Sequence, residues 1–180
     1  MTRFVDRGAI VAAGVGAGVA VTVGVSFLLI IPIDPVVWLL ALPAGALIGY
    51  YANVRSDRRA GPWRRIVANG LFAAAATALT TVVLMFSVKA LFFAADDGYR
   101  DPGLGGRIFC DPGADCVYRR YLEAQPEDLA TAGVTDAASF SRYYWDQQLR
   151  TAQLAAALTM AGGLAAAIVY GARTRPPPTA

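Results

Sequence analysis

Residues 66–95 spell IVANGLFAAAATALTTVVLMFSVKALFFAA, a run of 30 residues in which Lys89 is the single charged side chain. A helix of that length extends about 45 Å, whereas the hydrocarbon core of a bilayer is about 30 Å thick. Further apolar runs cover residues 8–33, 36–51 and 149–170, with Arg150 as their one charge. The pattern predicts an all-α integral membrane protein with four transmembrane helices in two antiparallel hairpins.

The composition argues against several classes of site. Hydrophobic residues make up 56% of the 180-residue chain and charged residues 16%, against about 25% charged in soluble domains. The lack of histidine excludes His-ligated haem, the common zinc sites and histidine general bases. Two cysteines are too few for a Cys₄ centre. We therefore expect no cofactor or metal and, since the net charge of +3 comes from arginines beside apolar runs, no nucleic-acid partner.

The distribution of charge predicts the orientation in the membrane. The head (residues 1–7), the second connection (52–65) and the tail (171–180) hold nine arginines and two acids. The opposite side holds seven basic and eleven acidic residues, ten of the acids within residues 96–148. The positive-inside rule therefore predicts cytoplasmic termini and an exoplasmic segment 96–148. Fifteen of the sixteen basic residues are arginine, as is typical of high-GC bacteria, so we expect a bacterial cytoplasmic (inner) membrane.

The second connection carries enough arginine to set this topology, and the same side chains suit contact with anionic lipid headgroups. The lipid bilayer is therefore the first expected partner. The arginines concerned are Arg55, Arg58, Arg59, Arg64 and Arg65.

Small residues at helical spacing predict close packing between helices, because they let the backbones of neighbouring membrane helices approach each other. The first two apolar runs each contain a GxxxG pair, and the last contains a Gly-Gly pair. A phosphate-binding loop in the first run would need a preceding strand, which a continuous apolar run does not supply. The glycines expected to pack are Gly14 and Gly18, Gly45 and Gly49, and Gly162 and Gly163.

Residues 96–148 predict a small helical cap between the third and fourth transmembrane helices. Cys110 and Cys116 flank a Pro112–Gly113 turn that brings them together. In an oxidising compartment such a pair is expected to form a disulfide, worth roughly 2.4 kcal/mol for a loop of about seven residues. A redox-active pair, the alternative, normally has the shorter C-x-x-C spacing.

Three helix starts are predicted within the cap. Asp115 is placed to N-cap a helix that ends near residue 125, and Pro126 begins a second helix that ends at Gly133. Thr135 is placed to cap a third helix that continues into the last apolar run. Aromatic side chains on the first and third of these helices form a candidate partner surface: Tyr118, Tyr121, Phe140, Tyr144 and Trp145.

Two charged features each have a functional and a structural interpretation. Lys89 lies at the outer boundary of its run, where it is either a site residue or a side chain that snorkels to the interface. Asp96 and Asp97 follow the same run and either bind a divalent cation or form the solvated end of a helix.

The expected function is that of a non-catalytic accessory or assembly subunit of a larger bacterial membrane complex. It would contact other membrane subunits, or copies of itself, through small-residue helix faces and the cap. The apolar runs lack the carboxylates that ion-coupled transport needs, so the alternative is a small oligomeric passive channel or transporter. A third class is a protein that binds lipid or solute at the outer leaflet, or an enzyme there, although the cap has no Ser-x-x-Lys set and no nucleophile elbow.

The topology is testable by cysteine accessibility. We expect a cysteine introduced into segment 96–148 to be labelled by a membrane-impermeant maleimide in intact cells, because the acidic segment lies outside. Labelling that requires lysis would place the segment in the cytoplasm, where the argument for a Cys110–Cys116 disulfide would also fail.

Overall fold

The computed structural model describes residues 4–29, 34–57, 62–101 and 106–173. Helices make up about 85% of it, so the chain belongs to the all-α class, as predicted. A short antiparallel hairpin accompanies them. In chain order the elements are α1 (Arg7–Leu29), α2 (Asp34–Arg55), α3 (Trp63–Ala95), β1 (Gly98–Asp101), β2 (Gly106–Phe109), α4 (Ala114–Ala124), α5 (Pro126–Thr131) and α6 (Ala137–Arg173).

Two of these helices, α3 and α6, are long and apolar enough to cross a membrane, judged by length and composition. They contain the predicted spans at residues 66–95 and 149–170. A shorter apolar helical stretch covers Arg7–Thr22. The spans predicted at residues 8–33 and 36–51 and the pairing into hairpins remain predictions, and residues 30–33 lie outside the described part of the chain.

Helix ends differ from the predicted bounds by a few residues. Asp34 and Pro35, expected in a turn, are the first two residues of α2, where proline is tolerated because that N–H needs no helical partner. The second connection, expected over 52–65, is shorter, since α2 continues to Arg55 and α3 begins at Trp63. Arg58 and Arg59 lie outside the described residues.

The chain divides into two compact units, which we call the helix unit (Met1–Met85 with Ala152–Ala180) and the cap unit (Phe86–Thr151). Both α3 and α6 contribute residues to each unit. In the helix unit, alanines replace the large side chains of a typical core. One buried cluster joins three helices through Ala9, Ala12, Ile48, Ala52 and Ala73.

Glycines provide the contact between α2 and α6. A Cβ added to Gly45 would overlap the backbone carbonyl of Thr159. One added to Gly49 would lie 2.7 Å from the Cα of Gly163. One added to Gly162 would lie 2.8 Å from the backbone N of Ala46. The two helices therefore meet backbone to backbone, with no room for a methyl group at these positions.

The cap unit contains α4, α5, the adjoining parts of α3 and α6, and the hairpin. β1 and β2 pair antiparallel, with Gly98 opposite Phe109 and Asp101 opposite Gly106. The expected cap was purely helical, so the hairpin is a correction. Its two strands are four residues long, too short to show the alternation of apolar and polar residues that identifies a strand from sequence.

A matched pair of glycine substitutions tests the backbone contact in the helix unit. Gly45→Ala should lower the free energy of unfolding by about 1–3 kcal/mol, because its methyl group meets the Thr159 backbone. Gly14→Ala, where a Cβ meets nothing within 4 Å, should be neutral or stabilising by up to about 1 kcal/mol. Unfolding in detergent, followed by circular dichroism, measures both. Equal effects at the two positions would contradict the packing.

Candidate functional site

The cysteine pair lies where the hairpin meets α4. Cys110 and Cys116 are at disulfide distance, with their Cα atoms 5.5 Å apart. The Cys110 N–H donates to the Asp97 carbonyl at 3.0 Å. Between the cysteines, Gly113 has a φ of 130°, in the region that favours glycine. The pair therefore joins the end of the hairpin to the first turn of α4.

The caps of α4 and α6 differ from those predicted. Gly113, not Asp115, is the N-cap residue of α4, and it has no side chain to bond the helix end. Asp115 lies in the first turn of α4 and forms an ion pair with Arg119 at 2.9 Å. At α6 the cap is Asp136 rather than Thr135, since the Ser139 N–H donates to Asp136 Oδ1 at 2.6 Å.

The cap at the start of α6 also lowers the pKa of the Asp136 carboxyl group. The bond from the Ser139 backbone N–H is the main cause that lowers the pKa of Asp136 below its ordinary value. Because the folded-state pKa is the lower one, the carboxylate stabilises the start of α6 above the unfolded-state pKa. That contribution is lost as the pH falls through the folded-state pKa.

The aromatic residues of the cap form its core. Phe140 has 0% and Tyr144 4% of its surface exposed, so both are removed from the candidate partner surface. Their spacing of four residues, which puts them on one face of a helix, was the sequence signal for a shared buried position. Tyr118, Tyr121 and Trp145 are only partly buried and pack against this core.

Stacking contacts hold the aromatic core together. The rings of Tyr121 and Phe140 have centroids 5.1 Å apart, and those of Phe93 and Tyr144 are 5.0 Å apart. Phe93 lies on α3, Tyr121 on α4 and the other two on α6. The cluster therefore joins three helices within the cap unit.

Asp96 has a structural partner. Its side chain is 14% exposed and forms an ion pair with Arg120. Within the part of the chain that the structure describes, this guanidinium is the partner of the enclosed Oδ2 oxygen, which accepts no further bond there. Within the described residues, no group of three or more potential metal ligands occurs. Because Asp96 pairs with Arg120, one of the two carboxylates that would bind a cation is already engaged. Lys89 is half-buried on α3 in the cap unit.

A buried polar cluster in the helix unit was not predicted from the sequence. Asn69, fully buried on α3, accepts a bond from the Asp6 N–H at 3.0 Å and donates from Nδ2 to Asp6 Oδ2 at 2.9 Å. Arg65 Nη1 lies 3.6 Å from Asp6 Oδ1. The start of α1 is thereby fastened to α3.

A second buried amide lies on α2. Asn53 Nδ2 donates to the Gly49 carbonyl at 3.2 Å and to the Ile66 carbonyl at 3.0 Å. The Ile66 bond ties α2 to the first turns of α3. The Asn53 Oδ1 oxygen is enclosed and accepts no bond from the described residues.

Four threonine hydroxyl groups of the helix unit bond the backbone of their own helices. Thr77 Oγ1 donates to the Ala73 carbonyl at 3.0 Å, and Thr159 Oγ1 donates to the Ala155 carbonyl at 2.8 Å. Thr80 and Thr81 do the same, each to the residue four positions earlier. These side chains are thereby satisfied inside their own helix, the usual state of hydroxyls in apolar helices.

The glycines of α1 lie on two different faces. Gly16 packs inside the helix unit, where a Cβ would lie 3.2 Å from Ile48 Cγ2. Gly14 and Gly18 are exposed, and a Cβ at either would meet nothing within 4 Å. Val11 and Val15, at helical spacing from them, expose 46% and 44% of their surface. We call Val11, Gly14, Val15 and Gly18 the outward face of α1.

Comparison with known proteins supplies no function. The chain matches no protein-family model, no curated protein sequence and no solved structure. The outward face of α1 is distinguished among the described surfaces by exposed glycines at helix-packing spacing.

The aromatic core of the cap can be tested by truncation. Phe140→Ala should destabilise the cap unit by about 3–5 kcal/mol, because the ring is fully buried among aromatic neighbours. Leu122→Ala, at a side chain that is 39% exposed, is the control and should cost less than about 1 kcal/mol. Hydrogen exchange of the α4 and α5 amides reports the effect. Unchanged exchange in Phe140→Ala would show that the cluster does not hold these helices.

Proposed function

We propose that the protein is a non-catalytic subunit of a bacterial inner-membrane complex and that it receives a helix of another membrane protein on the outward face of α1. In this proposal, all four long helices cross the membrane, both termini are cytoplasmic and the cap is exoplasmic. The observation that carries the proposal is the difference between the two sets of glycines.

One set is used within the chain. Gly45, Gly49 and Gly162 are buried at contacts where α2 and α6 meet backbone to backbone. The other set, Gly14 and Gly18, has the same GxxxG spacing, but a Cβ added to either would meet no atom of the described residues within 4 Å. Helix association in lipid depends on close packing and small residues, because lipid tails are as apolar as the side chains they would replace. The exposed pair therefore resembles the glycines of the α2–α6 contact, but no second helix of the described residues packs against it.

The apolar surface of the helix unit supports a membrane setting for all four helices. Leu39, Leu47 and Leu79 expose 74%, 71% and 65% of their surface, and they lie on α2 and α3. Contiguous apolar surface is costly in water and favourable in lipid. α1 and α2, with 23 and 22 residues, are each long enough to cross a hydrocarbon core of about 30 Å.

The test is recovery of the complex. Purification in mild detergent should yield the full chain in a stoichiometric complex with other membrane proteins. Gly14→Val combined with Gly18→Val should reduce that recovery at least tenfold, equivalent to about 1.4 kcal/mol, because the branched side chains separate the helices. Ala75→Val, also exposed but on α3, is the control and should retain the complex.

Two outcomes would contradict the proposal. One is a wild-type protein that purifies as a clean monomer, and the other is a double valine variant that keeps its partners. A complex that contains only copies of this chain, and is lost in the same variant, would favour the small oligomeric channel instead.

A further inference from the structure

One terminus of each of the four long helices lies at the same end of the helix unit. A Cβ on Gly8, in the first turn of α1, would lie 2.5 Å from the Arg55 carbonyl carbon at the end of α2. Asp6, which precedes α1, contacts Arg65 and Asn69 of α3. A Cβ on Gly171, near the end of α6, would lie 2.6 Å from Cζ3 of Trp63, the first residue of α3.

Because these termini meet, arginines that are distant in sequence lie at the same end. We call this set the cationic end. Two acids, Asp6 and Asp57, accompany it among the described residues. Asp6 is engaged by Arg65 and Asn69. The cationic end consists of Arg7, Arg55, Arg64, Arg65 and Arg173.

Within the described part of the chain, four of these five arginines form no ion pair. Arg7, Arg55, Arg64 and Arg173 are exposed, and no carboxylate of the described residues lies within ion-pair distance of any of them. Arg7 and Arg64 also lie in the first turns of α1 and α3, which contain no acidic residue. A helix N-terminus already carries partial positive charge, so cations there raise the local potential further.

Aromatic and apolar surface adjoins the cationic end. Trp63, Tyr50 and Tyr51 expose 42%, 40% and 37% of their surface. The Tyr50 ring packs on Tyr170 with centroids 5.4 Å apart. Tryptophan and tyrosine concentrate at the headgroup level of membranes. Leu47 and Ile168, exposed at 71% and 48%, continue this surface along α2 and α6.

We propose that the cationic end binds the phosphodiester headgroups of anionic phospholipids, with Arg55 and Arg64 as the principal contacts. The inference rests on the proposed membrane setting. It goes beyond topology, because arginines that only orient the chain need no selectivity between anionic and zwitterionic lipid. Charge complementarity and the continuous apolar surface both favour a lipid over a soluble anion. Arginine also pairs with phosphate through two parallel N–H bonds, which lysine cannot supply.

The experiment measures lipid affinity of the purified full chain by native mass spectrometry in detergent. Phosphatidylglycerol should bind at least tenfold more tightly than phosphatidylcholine of the same acyl chains, and this preference should fall as salt rises. Arg55→Gln combined with Arg64→Gln should weaken phosphatidylglycerol binding about 25-fold, or about fivefold for each arginine.

Matched variants separate a site from net charge. Arg119→Gln with Arg150→Gln removes the same charge from two exposed arginines of the cap unit and should leave the affinity unchanged. Arg55→Lys with Arg64→Lys keeps the charge but loses the paired N–H geometry, so its affinity should fall less than that of the glutamine variant. Equal losses in the cap and cationic-end variants would overturn the proposal.

Two further results would also overturn it. One is equal binding of phosphatidylglycerol and phosphatidylcholine by the wild-type chain, a measurement that needs no variant to fold. The other is displacement of bound phosphatidylglycerol by millimolar inorganic phosphate, which would identify a soluble anion as the ligand. Failure of the membrane setting is distinguishable, because a chain released from membranes by alkaline carbonate without detergent would refute the proposed function itself.

Discussion

The contact that the helix unit depends on is the approach of α2 to α6 through glycine. At Gly45 and Gly49 the backbones are close enough that a methyl group would meet main-chain atoms of the other helix. In lipid, where apolar side chains gain little by leaving their surroundings, such proximity supplies the dispersion contacts that hold helices together. The alanine cluster of Ala9, Ala12 and Ala73 extends the same principle to α1 and α3. A packing scheme based on small residues also leaves the large apolar side chains on the outside.

The cap unit is built by the opposite principle. Its core consists of large aromatic rings, and the cysteine pair, the Asp96–Arg120 ion pair and the Asp136 cap add further links. In water, burial of aromatic rings stabilises the fold, because each Å² of apolar surface removed from water contributes about 25 cal/mol of favourable free energy. The small-residue core of the helix unit suits lipid and the aromatic core of the cap unit suits water, as the proposed function requires.

The sequence was most informative where composition alone decides the outcome. Long uncharged runs predicted the helices, and the Pro112–Gly113 turn predicted that Cys110 and Cys116 would come together. It was less informative where neighbouring residues compete, as Thr135 and Asp136 do for one cap. Long-range pairing was out of reach, because an asparagine in an apolar helix does not indicate that its partner is Asp6. Strands of four residues carry too little pattern to be recognised, so the hairpin was missed.

The bonds between Asp6 and Asn69 have a consequence for biosynthesis. The two residues are 63 positions apart, and ribosomes add about 5–20 residues per second. The start of α1 therefore waits several seconds after its own synthesis before the residue that fastens it exists. During that interval the bonds between Asp6 and Asn69 cannot form. The order of translation therefore makes α1 before α3, the helix on which its attachment depends.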